Sequence, residues 1–253
     1  MRATTFALTA VLLGAGCTQL QTTVAAGYAQ LAIDGNVALS ASGGSLSGTT
    51  SQDIDASFGL GDAVGSPYVN VDLDFGVPVI SVSGFTFEER GTGTLSAQFG
   101  NLTAGTNVES KLRFSNVKAA IAFQVDLGPV AIGPGVAIDV VDLDLTVRDT
   151  AGFSTEDIQV QAPVPMAYLR GDVDLGALKG VAELGYIQVP TVNDVEGTFW
   201  DAEVRAELRL SPVLHLFAGY RMLHVDGEGT VDDQSFATDL DVGGWMIGGG
   251  VRF

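Results

Sequence analysis

From Tyr28 to the C-terminus, apolar and polar side chains alternate with period two, which puts successive residues of an extended chain on opposite faces. The clearest stretch is 199–210. Trp200, Ala202, Val204, Ala206, Leu208 and Leu210 share one parity, and Asp201, Glu203, Arg205, Glu207 and Arg209 take the other. Residues 67–75 repeat the pattern, with Val69, Val71, Leu73 and Phe75 against Asn70, Asp72 and Asp74. In 28–42, Leu31, Ile33, Val37, Leu39 and Ala41 oppose Asp34, Asn36, Ser40 and Ser42. Further strands are predicted over 78–89, 108–125, 128–148, 157–175, 177–190, 213–227 and 237–253. In 108–125 the parity slips near Ser115-Asn116: Leu112 and Phe114 are even, while Val117, Ala119, Ile121 and Phe123 are odd. One inserted residue, a β-bulge, would return these to a single outward face. A similar slip falls at Val140-Val141.

The connections alternate in length. Short turns are expected at Gly76-Val77-Pro78, Gly128-Pro129, Gly176-Ala177 and Ser211-Pro212, and longer acidic or Gly/Thr-rich loops at 43–66, 90–107, 149–157, 190–198 and 228–236. The pattern predicts an all-β fold of about ten antiparallel strands, an even number that returns both termini to one end. Leaving out 28–42 and one further element gives eight as the alternative count.

Composition changes the picture in one respect. The formal net charge is −18, yet the mean hydropathy is positive at +0.31. The two agree if acids occupy loops and an interior while apolar side chains face outward. With 12 Lys+Arg against 30 Asp+Glu there is no basic patch to neutralise phosphates, so no nucleic acid partner is expected. No segment after the N-terminus has the roughly 18 uninterrupted apolar residues of a transmembrane helix.

The N-terminus reads as an export signal over residues 1–26, with Arg2 as its basic residue and Phe6–Gly16 as its apolar stretch. Two processing sites compete. One is cleavage after Val24-Ala25-Ala26. The other is a lipobox, Leu13-Gly14-Ala15-Gly16-Cys17, with Cys17 as the lipidated residue and Gly14 where that motif carries an aliphatic side chain. Cys17 is the only cysteine, so no intramolecular disulfide forms. The barrel domain is expected over 27–253.

The last strand carries Trp245, Ile247, Val251 and Phe253 on one face and ends in Val251-Arg252-Phe253. With it go Asp53-Ile54-Asp55, Leu60-Gly61-Asp62 and the stretch from Phe99-Gly100 to Ala104-Gly105-Thr106. On these features residues 28–253 resemble the small outer-membrane β-barrel proteins of Gram-negative bacteria, an uncharacterised porin-like group akin to the OmpA and OmpX barrels. The resemblance implies an up-and-down transmembrane barrel in the cell outer membrane, with short periplasmic turns and long outer loops. It also implies outer-membrane lipid and lipopolysaccharide as surroundings, and a barrel-assembly machinery that reads Phe253. In that topology Tyr68, Tyr186 and Trp200 belong to an outer aromatic girdle, and Phe75, Phe123 and Phe253 to a periplasmic one.

A charge facing hydrocarbon at the midplane costs about 2–4 kcal/mol for Arg or Lys, so the charged parity should line the lumen. The expected lining is Asp142, Asp144, Arg148, Asp201, Glu203, Arg205, Glu207, Arg209 and Arg252, joined by Asp172, Asp174, Lys179 and Glu183. These charges either pair across a narrow interior and plug it, or border a water path that the acid excess makes cation-preferring. The leading expectation is therefore a structural or narrow-channel barrel, with no enzymatic activity, no cofactor and no metal. One alternative is a scaffold that binds surfaces through its acidic outer loops. The other is an outer-membrane hydrolase using His224 beside Asp226, two residues apart on one strand face. No Gly-x-Ser-x-Gly elbow occurs in the chain.

Overall fold

The computed structural model describes residues 20–40, 51–152, 154–192, 195–231 and 234–253. In chain order its elements are β1 (Gln21–Leu39), β2 (Gln52–Asp53), α1 (Ile54–Phe58), β3 (Val64–Asp74), β4 (Pro78–Thr94), β5 (Asn107–Phe123), β6 (Val125–Asp126), β7 (Val130–Asp149), β8 (Thr155–Asp174), β9 (Leu178–Val192), β10 (Val195–Arg209), β11 (Leu214–Val231) and β12 (Gln234–Arg252). Ten long strands pair antiparallel with their neighbours, and β1 closes the sheet on β12 from Thr23↔Arg252 to Leu39↔Phe236. The two-residue β2 and β6 pair with β1 and β7. The seam is tight: a Cβ on Gly244 or Gly248 would overlap the carbonyl oxygen of Gln30 or Ala26.

The start of β1, Phe253 and four short turns share one end. Three of those turns read Asp-x-Gly, with Gly76, Gly128 and Gly176 at φ 90°, 82° and 83°, a region open to glycine. In two of them the Asp74 and Asp174 carboxylates accept the glycine N–H at 2.8 and 2.9 Å. The expected domain start at 27 moves back to Gln21, because Gln21–Ala26 are laddered to β3, from Gln21↔Asp74 to Ala26↔Val69. Cleavage after Ala26 would strip that ladder. Cys17 lies outside the described residues.

The parity slips are not bulges. Both ladders of β5 run without a shift through Ser115 and Asn116, and the β7–β8 ladder runs unbroken through Val140 and Val141. The environment inverts instead. Toward the turn end β5 exposes Val117, Ala119 and Phe123 outward and buries Asn116, Lys118 and Ala120. Toward the loop end it exposes Lys111 and Arg113 outward and buries Leu112 and Phe114 inside. β7 does the same: Val136 and Ile138 face out beside buried Asp139, and farther along Leu145 and Val147 are buried. The two slips are neighbours, since Ser115 pairs with Asp142 and Asn116 with Val141. They mark one boundary around the barrel.

Below that boundary an apolar belt surrounds a polar interior. Above it the barrel projects with a polar outer wall and an apolar core. Three sequence expectations are corrected by this. Asp142, Asp144 and Arg148 point outward from the projecting wall, not into the lumen. Leu31, Ile33, Val37 and Leu39 fill the projecting core, and Asp34 and Asn36 face solvent. Tyr68 is 1% exposed and lies inside the barrel, so it belongs to no girdle. Tyr186 and Trp245 are 47% and 71% exposed on the outside, and Tyr220 meets the Trp245 ring edge-on at 5.1 Å. Phe123 and Phe253 are exposed at the turn end.

Candidate functional site

Because the belt strands turn their polar parity inward, charged side chains from seven strands meet in the lumen. Arg221 on β11 grips Asp201 on β10 with two bonds, Nη2–Oδ2 at 2.6 Å and Nε–Oδ1 at 3.1 Å. It also donates to Asn116 Oδ1 at 2.7 Å and Ser83 Oγ at 3.2 Å, and lies over the Phe85 ring. The Asn116 amide passes the link on to Asp139 Oδ1 at 2.9 Å. Lys118 bridges Glu183 at 2.9 Å and Asp201 at 3.3 Å. Arg170 joins Glu183 at 2.8 Å to Asp72 at 3.1 Å and Asp172 at 3.3 Å. Arg205 reaches Asp72 at 3.0 Å, Glu203 at 2.6 Å and Glu207 at 3.0 Å, while the Tyr68 hydroxyl donates to Glu203 at 2.9 Å.

The result is one connected layer across the lumen. Asp72 on β3 is tied to β8 and β10, which are not its neighbours in the sheet. Seven acids (Asp72, Asp139, Asp172, Glu183, Asp201, Glu203, Glu207) face four bases (Lys118, Arg170, Arg205, Arg221), all under 9% exposed. Burying charge is costly unless each ion finds partners, and cross-lumen pairing supplies them.

Of the expected lining, Asp172, Glu183, Asp201, Glu203, Arg205 and Glu207 sit inside this layer. Arg209 lies lower, at the turn end, on Asp174 at 2.6 Å. Arg252 meets the Gln21 side chain at the seam. Tyr68, Asn116, Lys118, Asp139, Arg170 and Arg221 were missed as a set. Their strands carry no strict charge alternation, and only cross-lumen geometry brings them together.

Above the ion-pair layer the projecting half is capped. The short helix α1 starts at Asp53, whose carboxylate accepts Ala56 N–H at 2.7 Å, and stops at Gly59 with φ 65°. It drives Ile54 and Phe58 inward, followed by Leu60. Phe58, between Asp53-Ile54-Asp55 and Leu60-Gly61-Asp62, meets Phe99 edge-on at 5.1 Å. Gln52 Oε1 accepts both the N–H and the hydroxyl of Ser96 at 3.0 Å. The strand β4 leaves the belt after Phe85, and Glu89 in its projecting part accepts Gly61 and Asp62 N–H at 2.8 Å each. Burial pushes the Glu89 carboxyl up in spite of these donors.

The cap lies directly on β4, where a Cβ on Gly91 or Gly93 would overlap the Gly59 or Ser57 carbonyl. Gly91→Val is therefore expected to undock α1 without opening the belt. Limited proteolysis should cut within 52–62 while the heat-resistant, fast-migrating band on a detergent gel persists. A cap as protease-resistant as the parent's would refute this docking.

His224 faces outward. Its Nδ1 lies 2.9 Å from Asp241 on β12, rather than against Asp226 as expected, and its ring stacks on Trp200 at 5.7 Å. Its pairing follows from the register, which sets His224 opposite both Trp200 and Asp241. His215 points into the lumen near the turn end. Phe253 exchanges both backbone hydrogen bonds with Thr22 at 2.8 and 3.0 Å.

No protein-family model matches this chain, and no curated protein does. Solved structures do. The outer-membrane protease OmpT of Escherichia coli matches with a TM-score of 0.57 at 8% identity, over 94% of this chain and 97% of that one. The attachment invasion locus protein Ail of Yersinia pestis gives 0.38 at 11% identity over 92% and 99%. The translocator domain of the autotransporter NalP of Neisseria meningitidis gives 0.39 at 12% identity over 93% and 89%. At these identities the likeness concerns the fold. A closed ten-strand antiparallel barrel with an apolar belt outside and polar groups inside is built for lipid, where every backbone group must pair internally. The chain thus has the fold of the small β-barrel proteins of the Gram-negative outer membrane.

Proposed function

We propose that this protein is a structural barrel whose lumen does not conduct, and that it catalyses no reaction. The observation that carries this reading is the double filling of the interior. A layer of paired charges crosses the lumen within the belt, and the α1 cap with Phe58, Phe85, Phe87, Phe99 and Phe114 packs the β4–β5 side of the half above it. An ion crossing would have to separate buried pairs and then traverse a hydrocarbon core, both steep barriers. Should the ion-pair layer loosen, its excess of acids would favour cations over anions.

The hydrolase alternative finds less support. The outward His224 is engaged by Asp241 on the projecting wall and stacked on Trp200, a position suited to an interfacial aromatic cluster.

The test is planar-bilayer recording with refolded protein, insertion being checked by heat-modifiable migration. The expected trace is silent at either polarity. Discrete ohmic openings, cation-selective or not, would replace this reading with that of a channel.

A further inference from the structure

The wall of the barrel is incomplete in two places above the belt. The β3–β4 ladder ends at Tyr68↔Phe85, and β4 from Thr86 to Thr94 pairs only with β5. That break is filled by α1, seated on Gly91 and Gly93. The β8–β9 ladder ends at Ala167↔Tyr186. Beyond it, Thr155–Met166 of β8 pair only with β7, and Ile187–Val192 of β9 only with β10. Among the described residues no element lies across this second break.

Its chemistry is unlike the rest of the projecting wall. The inward parity is aliphatic: Ile158, Val160, Ala162 and Val164 on β8, and Ile187 and Val189 on β9. Although they point inward, Val160 and Val189 are 48% and 39% exposed. The floor is Met166, lying against Gly185, with the Arg170–Glu183 pair beneath. The outer rim carries Gln159, Gln161 and Gln188, with Asp157 farther along β8 and Asp144 and Asp142 of β7 opposite Gln159 and Gln161, so it is polar and bears no base, whereas the opposite wall carries Arg90, Lys111 and Arg113 beside Glu88. Pro163 and Pro165 stand on the free stretch of β8. Proline belongs in a sheet where its missing N–H faces no partner, so they keep this ladder from zipping further.

The lower corner of the break lies at Tyr186, beside Trp200, on the outer aromatic girdle. An opening there faces the outer leaflet at the head-group boundary. The nine residues from Ile158 to Met166, eight strand steps, give about 26 Å of aliphatic wall, more than the ~15 Å depth of one leaflet's hydrocarbon. The geometry points to an acyl chain of an outer-leaflet lipid as the occupant, entering sideways between β8 and β9 and lying against Val160, Val164, Ile187 and Val189. The chain's methylenes would cover aliphatic surface that otherwise meets water, and the polar rim would leave the head group outside. Passage across the membrane is not implied, because Met166 and the ion pairs close the cleft below.

The test uses the full chain with Cys17→Ser and a single new cysteine carrying an environment-sensitive fluorophore. The sites are Val160→Cys in the cleft, Val204→Cys on the belt and Ser115→Cys on the polar wall. Each protein is reconstituted in phosphatidylcholine brominated on its acyl chains, and separately exposed to aqueous iodide. Folding of each is verified by heat-modifiable migration. The expected result is a loss of emission at Val160→Cys with brominated chains close to that at Val204→Cys, and little loss with iodide. Adding Ala162→Phe, which fills the cleft, should reverse most of the bromolipid effect. Iodide quenching like that at Ser115→Cys would make the cleft water-filled and overturn the proposal. Quenching by neither agent would mean that protein covers it, with the same consequence. Full bromolipid quenching in the presence of Ala162→Phe would also overturn it, by placing the chain elsewhere.

Discussion

Arg221→Met is expected to destabilise the folded barrel by about 3–5 kcal/mol, the usual cost of removing one partner from a buried ion pair. The substitution keeps most of the side-chain volume but withdraws every charged hydrogen bond that Asp201 receives from Arg221, together with the donors to Asn116 and Ser83. Lys118, at 3.3 Å, remains for Asp201 but already serves Glu183 at 2.9 Å. Urea unfolding in lipid vesicles, followed by the gel-shift between folded and unfolded bands, measures the change. The double variant Arg221→Met with Asp201→Leu should recover most of the loss, because an apolar pair of similar volume substitutes well for a buried ion pair. A double variant as unstable as the single one would show that the ion pair is not the source of the cost.

Two arginine substitutions on one strand face should differ sharply. Ala119→Arg on β5 places a guanidinium in the belt and should cost about 2–4 kcal/mol, the penalty near a bilayer midplane. Ser115→Arg lies four residues away on the same outward face, above the boundary, beside Arg113 and Lys111. It should change stability by less than about 0.5 kcal/mol, as for an ordinary surface exchange. The same vesicle unfolding assay reads both. Equal penalties would move the boundary off Ser115 and dissolve the two-zone description. The contrast is large because the strand does not change conformation there; only the medium outside it does.

That boundary is also where sequence reasoning misread a real signal. The slips at Ser115-Asn116 and Val140-Val141 were visible, and a bulge was a sound local explanation for each. What sequence could not supply is that the two positions are cross-strand neighbours, so that a single change of surroundings accounts for both. An inserted residue shifts register, whereas a change of medium leaves register intact and inverts which parity is apolar. The lumen rule, applied along the whole strand, places Asp142, Asp144 and Arg148 inside. It holds only where lipid is outside. In β10 the alternation from Trp200 to Leu210 stays within the belt, and Asp201, Glu203, Arg205 and Glu207 are accordingly inside.

Period-two patterning, an even number of strands and turn chemistry such as Asp74-Phe75-Gly76 are local properties of the chain. They pointed by themselves to an antiparallel barrel of about ten strands, with eight as the alternative, and short turns at one end, because a strand's two faces and a tight turn's φ are set by neighbours in sequence. The tertiary structure alone decided where lipid ends along each strand, which charges meet across the lumen, and which break in the wall is capped. Those depend on pairs such as Asp72 with Arg170 and Phe58 with Phe99, far apart along the chain. Their meeting is fixed only when the seam between β1 and β12 closes and every strand takes its register.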